Sequence, residues 1–404
     1  MTVSQEAAGV RWRPHVAVLA FGAFAVGTDG FVVAGLLPAI AASYEVSVGA
    51  AGQLVTVFSI AYAVLAPILA VLTASWSRRT VLVAALVVFA VGNAVTALAP
   101  DYGLALWSRV IAAAGAAMFT ATAAATAAAL AGERERGRAI SMVMLGVTSS
   151  LVLGAPLGTV IGGVLDWRAT MWAITALALL AAPSIAFRLP TTTGGTAAGP
   201  RDYLSPLRDR RIVAVLATTV VAFTGIYIPY TYVSEIFAPA TAGGEAMLAV
   251  LLLVYGVAGT GGNLAVGRLA DRHGPTRVIV VVTLALTAGF ALLPLATGTM
   301  VAAVVAILVV GTLSFGVTTP QQHLIITLAG RGASLVTSLY QSALYLAVSL
   351  SGAVGALGLE WWGAERLPFA AAALVLLAAV LTYATGRSGT REARSGQEAG
   401  MIGV

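Results

Sequence analysis

The sequence predicts an all-α membrane protein with twelve transmembrane helices in two six-helix halves. Three observations predict it. Of 404 residues, 59% are hydrophobic and only 9% charged, against about a quarter charged in ordinary soluble domains. Twelve apolar runs are each long enough to cross a hydrocarbon core of ~30 Å, which takes about 20 residues of helix. One long polar connection falls midway. A soluble fold of this length needs a polar surface that the chain lacks, so lipid must solvate most of it.

The first run is 15–40, preceded by Arg11 and Arg13. Ala23-Phe24-Ala25 has the small-x-small look of a signal cleavage site, but the run continues to Ile40 and eleven more follow. A spanning helix is therefore expected rather than a cleaved leader. The runs 49–74 and 79–99 flank a short basic loop, SWSRRT at 75–80. The runs 102–130 and 139–164 flank a charged turn, and 169–188 completes the first set. The segment from Pro190 to Arg211 is polar, rich in Gly, Pro and Thr, and basic at its end, which marks a linker. The second set is 211–235, 246–270, 276–296, 299–328, 334–358 and 367–385. The expected organisation is a first half at 1–190, a central loop at 191–210, a second half at 211–385 and a polar tail at 386–404. Composition predicts that the tail is disordered.

Charge fixes the expected orientation. Every basic residue is arginine, apart from three histidines. With the N-terminus inside, nineteen arginines fall in cytoplasmic segments and two, Arg168 and Arg366, outside, while Arg109 lies within a run. That asymmetry predicts both termini and the central loop on the cytoplasmic side. It also explains the net charge of +6 without nucleic acid, because the arginines sit in short clusters between apolar runs.

Several chemistries are excluded or disfavoured. There is no cysteine, hence no disulfide, thiolate metal site or Cys nucleophile. His15, His273 and His323 are scattered, so a metal centre is not expected. A Walker loop needs a lysine that is absent, and no H-E-x-x-H or G-x-S-x-G element occurs. Neither an enzyme nor an ATP-driven pump is expected, and no cofactor.

Within the runs, a few polar and small residues stand out. Gly146, Ser150, Gly154, Gly158 and Gly162 recur every four residues, a stripe that lets helix backbones approach. Pro156 interrupts the hydrogen-bond ladder inside it. Asp29 is the only acidic residue well inside any run. A carboxylate at that depth is costly to keep charged, which suits a group that takes up and releases a proton. Arg109 either faces a partner or pathway, or snorkels to the outer interface. Counting along the helices puts it at a depth near that of Asp29, so the two are expected to face a common cavity. Tyr227 and Tyr230 line either the cavity or an interfacial aromatic belt. Gln341 and Tyr345 lie one turn apart on the eleventh run, as candidate substrate contacts. Asn263, with Gly259 and Gly267 at four-residue spacing, reads as a packing position.

The loop Gly267-Arg268-Leu269-Ala270-Asp271-Arg272-His273-Gly274, followed by Arg277, resembles the G-x-x-x-D-R-x-G signature of the major facilitator superfamily. In the first half, Ala70, Ala74 and Ser77 replace the signature's Gly, Asp and second Gly, and Arg78 and Arg79 persist. Gly154-Ala155-Pro156-Leu157-Gly158 resembles the fifth-span motif of the superfamily's antiporters, with Ala155 in place of a further glycine. Gly27-Thr28-Asp29-Gly30-Phe31, leading to Gly35-Leu36-Leu37-Pro38, resembles the first span of bacterial exporters of sugars, arabinose, nucleosides and chloramphenicol. Their glutamate position is Gly30 here. Ala50-Ala51-Gly52-Gln53-Leu54-Val55-Thr56, Asp166-Trp167-Arg168 and Tyr230-Thr231-Tyr232 match the same branch. Arg109 matches the family's fourth-span arginine, with Ala112 where a glutamine is usual.

The resemblance implies the major facilitator fold, alternating access and export of a small organic molecule in exchange for protons, by a monomer in the bilayer. Asp29, as the acid within a run, and Arg109 are the candidates for proton coupling, and the resemblance assigns Asp271 with its neighbouring arginines to the balance between conformational states. An importer, a sugar or nucleoside exporter and a non-transporting receptor remain the alternatives.

Overall fold

The computed structural model describes residues 12–190, 205–329 and 333–402, which are helical with short connections and include no strand. The central loop expected at 191–210 lies largely outside the described residues, as does Arg331. Among the described residues, eleven helices are long and apolar enough to cross a membrane. One of them, Tyr102–Val164, is 63 residues long, about 95 Å if straight, or roughly three hydrocarbon thicknesses. It must turn back. Gly132 has φ 68° and ψ 177°, a conformation open to a residue without Cβ. The bend there separates the fourth and fifth crossings and restores six to the first set.

The chain divides into two compact units, Met1–Gly199 with Gly244–Leu253, and Pro200–Gly243 with Val254–Val404. In the first unit, α1 is Trp12–Tyr44, α2 Val48–Leu72, α3 Arg78–Leu98 and α4 Tyr102–Ser149. A π turn at Ser150–Gly154 leads into α5, Ala155–Val164, and then α6, Trp167–Arg188. Short polar caps start these helices. Ser47, Ser77, Asp101 and Asp166 each accept a backbone N–H of the first turn, which satisfies groups that a helix start leaves open.

The small-residue stripe is the contact surface for α1. A Cβ at Gly146 would collide with the carbonyl of Ala20, at Gly154 with Thr28, at Gly158 with Val32 and at Gly162 with Leu36, while Ser150 fills the space over Gly27. The π turn lies at the centre of this contact. It places Ser150–Gly154 just before Pro156, whose ring and missing N–H disrupt the regular ladder. Ala155 donates instead to Ser150 five residues back. The expected interruption at Pro156 is therefore a local widening upstream of it.

Asp166-Trp167-Arg168 ties one end of this unit. Arg168 Nη1 donates to Ser43 Oγ at 2.9 Å and Nη2 to the Ala99 carbonyl at 3.4 Å. Its guanidinium sits 4.5 Å from the Trp167 ring centre and 5.4 Å from that of Tyr44. Tyr44 also donates to Ala99, at 3.0 Å.

In the second unit and its leading turns, α7 is Arg210–Thr231, α8 Glu245–His273, α9 Pro275–Leu292, α10 Met300–Gly316, α11 Thr318–Ala329, α12 Ala333–Trp362 and α13 Leu367–Ile402. The first turns of α8 group with the first unit, a division finer than the linker reading drew. The backbone of α13 runs on to Ile402, where composition predicts a disordered tail.

The two signature loops are built differently. Gly274 ends α8 with φ 83° and ψ 143°, and Pro275 opens α9. In the first half the same turn is made by Ser77, which caps α3 through Thr80 N–H at 3.2 Å and so needs no positive φ. Arg78 Nη1 then donates to the Ala125 carbonyl at 2.9 Å.

Candidate functional site

The first unit encloses a charge pair. Arg109 Nη1 donates to Asp29 Oδ1 at 2.8 Å, and the two residues are 1% and 0% exposed. Arg109 therefore points inward, from α4 to α1, rather than snorkelling outward. Among the described residues these are the only buried charged side chains. The register of α1 explains the pairing. Gly30, where the resemblance places a glutamate, is exposed and has nothing within 4 Å of a would-be Cβ. One residue back is a turn of about 100°, and that turn aims Asp29 at α4.

Two uncharged groups complete the setting. Asn93 on α3 is fully buried and its Oδ1 lies 3.4 Å from the same Arg109 Nη1. The Asn93 amide is held by donating Nδ2–H to the Phe89 carbonyl at 3.2 Å. The Phe58 ring on α2 lies with its centre 4.5 Å from the guanidinium carbon of Arg109, a cation–π distance. Close backbone approach sets these positions, because a Cβ at Gly92 would collide with the Ala112 backbone and one at Gly115 with that of Phe89. Ser108 and Thr96 join hydroxyls at 2.6 Å one turn further along the same seam. Two polar atoms of the pair, Asp29 Oδ2 and Arg109 Nε, are buried with no hydrogen-bond partner. Neither Asn93 nor Phe58 stood out in the sequence.

In the second unit, Tyr227 and Tyr230 belong to a row of rings. Phe223 to Tyr227 is 6.2 Å between centres, Tyr227 to Tyr230 6.2 Å, Tyr230 to Tyr255 5.1 Å and Tyr255 to Phe315 5.7 Å. Tyr230 is buried and Tyr227 half-buried, so the row is packed into the unit rather than arrayed as an interfacial belt. Tyr255 and Phe315 extend it from α8 and α10. Gln341 and Tyr345 sit half-buried on α12. Gln321, which sequence gave no role, is 1% exposed and accepts from Thr219 Oγ1 at 3.2 Å. Asn263 accepts from Thr319, and Gly259 packs on Phe315, consistent with a packing position.

Along the 267–277 loop, Gly267 faces Thr319, while Arg268, Asp271, Arg272 and Arg277 are exposed. Among the described residues Asp271 forms no ion pair. Outside the crossings, Glu235 in the single turn Val233–Ile236 is half-buried, and that burial pushes its carboxyl up from the usual range.

The sequence profile described as Major Facilitator Superfamily matches residues 19–352. An uncharacterized MFS-type transporter of Bacillus subtilis (strain 168), YbcL, is 30% identical over 91% of this chain and 95% of its own length. A chloramphenicol resistance protein of Streptomyces lividans is 31% identical over 93% of this chain and 98% of its own. Among solved structures, the D-xylose-proton symporter aligns with a TM-score of 0.72 at 17% identity, covering 92% of this chain and 97% of that one. At that identity the likeness speaks for the fold.

Proposed function

The chain belongs to the major facilitator superfamily, and on that premise we propose that it is a proton-coupled antiporter that exports a small organic molecule, a drug or antibiotic by preference. The observation that carries this reading is the buried Asp29–Arg109 pair, which joins α4 to α1, the helix against which the antiporter-like glycine stripe packs. A carboxylate held by a permanent cation has two stable arrangements, paired when charged and released when protonated. An inward proton gains about 2.3 kcal/mol per 100 mV of membrane potential, enough to drive modest uphill export by alternating access. Similarity to a chloramphenicol resistance protein supports outward transport. The absence of other buried charge among the described residues favours apolar or amphipathic cargo over sugars.

A susceptibility panel in an efflux-deficient bacterium expressing the chain should identify a substrate. In vesicles of the purified protein, an imposed pH gradient should then move that substrate against the proton flow. Movement with the protons would make it a symporter and overturn the reading.

The proposed location is the bacterial cytoplasmic membrane, with both termini and the central loop inside. The natural lack of cysteine makes this testable with single introduced cysteines and an impermeant thiol reagent. From outside intact cells, Glu45→Cys should label and position 195 should not. The opposite pattern would invert the topology.

A further inference from the structure

We propose that Asn93 and Phe58 hold the Arg109 guanidinium when Asp29 is protonated, so that Asn93 is a positioning residue that sets the pH at which the pair switches. The proposal rests on Asp29 being the group that titrates, as the antiporter reading has it.

Arginine keeps its charge at any physiological pH. When a proton adds to Asp29, the O–H bond forms at Oδ2, the oxygen without a partner, and the carboxylate's negative charge is lost. The buried guanidinium then has no counter-ion, which is expensive unless other groups receive it. Asn93 Oδ1 already lies 3.4 Å from the Nη1 that bonds Asp29 at 2.8 Å. A small rotation of the guanidinium moves that N–H from one acceptor to the other. The Asn93 amide is oriented for this, since its donation to the Phe89 carbonyl leaves Oδ1, rather than the NH2, facing the cation. Phe58 presents its ring to the same carbon and needs no movement. On deprotonation the N–H returns to Asp29 Oδ1, and the proton leaves to the opposite aqueous phase.

Among the described residues no other acidic or basic side chain is buried with the pair. His15 on α1 lies fourteen residues away, about 21 Å along the helix. Arg78 and Arg79 on α3, Asp101 and the Glu133–Arg138 cluster on α4, and Asp166 and Arg168 by α6 sit at helix ends or turns. α2 brings the buried Tyr62, whose ring centre lies 6.5 Å from that of Phe58, a phenol that is neutral at physiological pH; α5 brings none.

The test is the titration of Asp29 in the purified full-length protein, followed by the infrared carbonyl band of its protonated form. Loss of the band in Asp29→Asn assigns it. Asn93→Ala removes an acceptor that the protonated state uses, so the midpoint should fall, by about one pH unit for a tenfold loss of proton affinity. Asn93→Asp offers the guanidinium a charged acceptor and places a second negative charge nearby, so the midpoint should rise. Phe58→Leu should lower it by a smaller amount. A purely structural role for Asn93 would reduce the yield of folded protein and leave the midpoint alone. An unchanged midpoint in both Asn93→Ala and Phe58→Leu, or a fall in Asn93→Asp, overturns the proposal. If Asn93→Ala does not fold, the other two variants decide. Because the readout needs no transport, shifted midpoints in a protein that exports without protons would defeat the antiporter reading alone.

Discussion

Asp29→Asn is expected to abolish export driven by a pH gradient while leaving the protein folded and able to bind its substrate. The substitution preserves size. Its amide oxygen can still accept from Arg109 Nη1, now 2.8 Å from Asp29 Oδ1, so the close packing of α1 against α4 need not change. What it removes is the one buried acidic group among the described residues. Without it the inward proton has no carrier within the first unit, and the gradient has nothing to act on. Exchange of labelled for unlabelled substrate needs no net proton movement and should persist. Substrate-induced proton release from the detergent-solubilised protein should disappear. Both measurements use the same preparation, so a folding defect would show as loss of exchange as well. Continued uphill export under a pH gradient would place the proton route elsewhere and reduce Asp29 to a structural partner of Arg109.

The sequence carried the crossings and the two charges of the site, for physical reasons that also mark its limits. Apolar length is a local property, so the runs could be counted, and a lone Asp and Arg in such runs are conspicuous by cost. The depth estimate that brought Asp29 and Arg109 together needed only the rise per residue. Asn93 and Phe58 were not legible, because an amide in an apolar helix and a phenylalanine among alanines carry no such cost. Their role arises from the meeting of α2, α3 and α4 at Gly92 and Gly115, a matter of tertiary approach. The stripe on the fifth crossing announced a close contact without naming α1 as the partner. The family pattern places its acid one position along, at Gly30, which faces open space, whereas the acid of this chain sits where the helix turns inward. The aromatic row is a similar case, since Tyr255 and Phe315 join Tyr227 and Tyr230 only through the packing of three helices.

Removing the cation should do more damage to stability than removing the anion's charge. Arg109 is among the largest fully buried side chains of the described residues, so Arg109→Ala would leave both a cavity and an unpaired carboxylate. Arg109→Met fills most of that volume and isolates the electrostatic part. Breaking a buried pair from one side typically costs about 3–5 kcal/mol, and a comparable loss is expected for Arg109→Met at neutral pH. Acid should relieve it, because a protonated Asp29 needs no counter-ion; the gap to the parent protein should therefore narrow as pH falls. Combining Arg109→Met with Asp29→Asn removes both charges, and most of the lost stability should return, since replacing a buried pair by well-packed neutral groups is often tolerated. Coupled transport should not return. Thermal unfolding of the purified variants across pH, alongside vesicle transport, measures each part. A double variant as unstable as Arg109→Met would show that the loss comes from packing and not from an orphaned charge. A stable double variant that still exports against a proton gradient would show that the pair holds the fold and carries nothing. Stability regained with coupling lost is the result that assigns the pair to the proton.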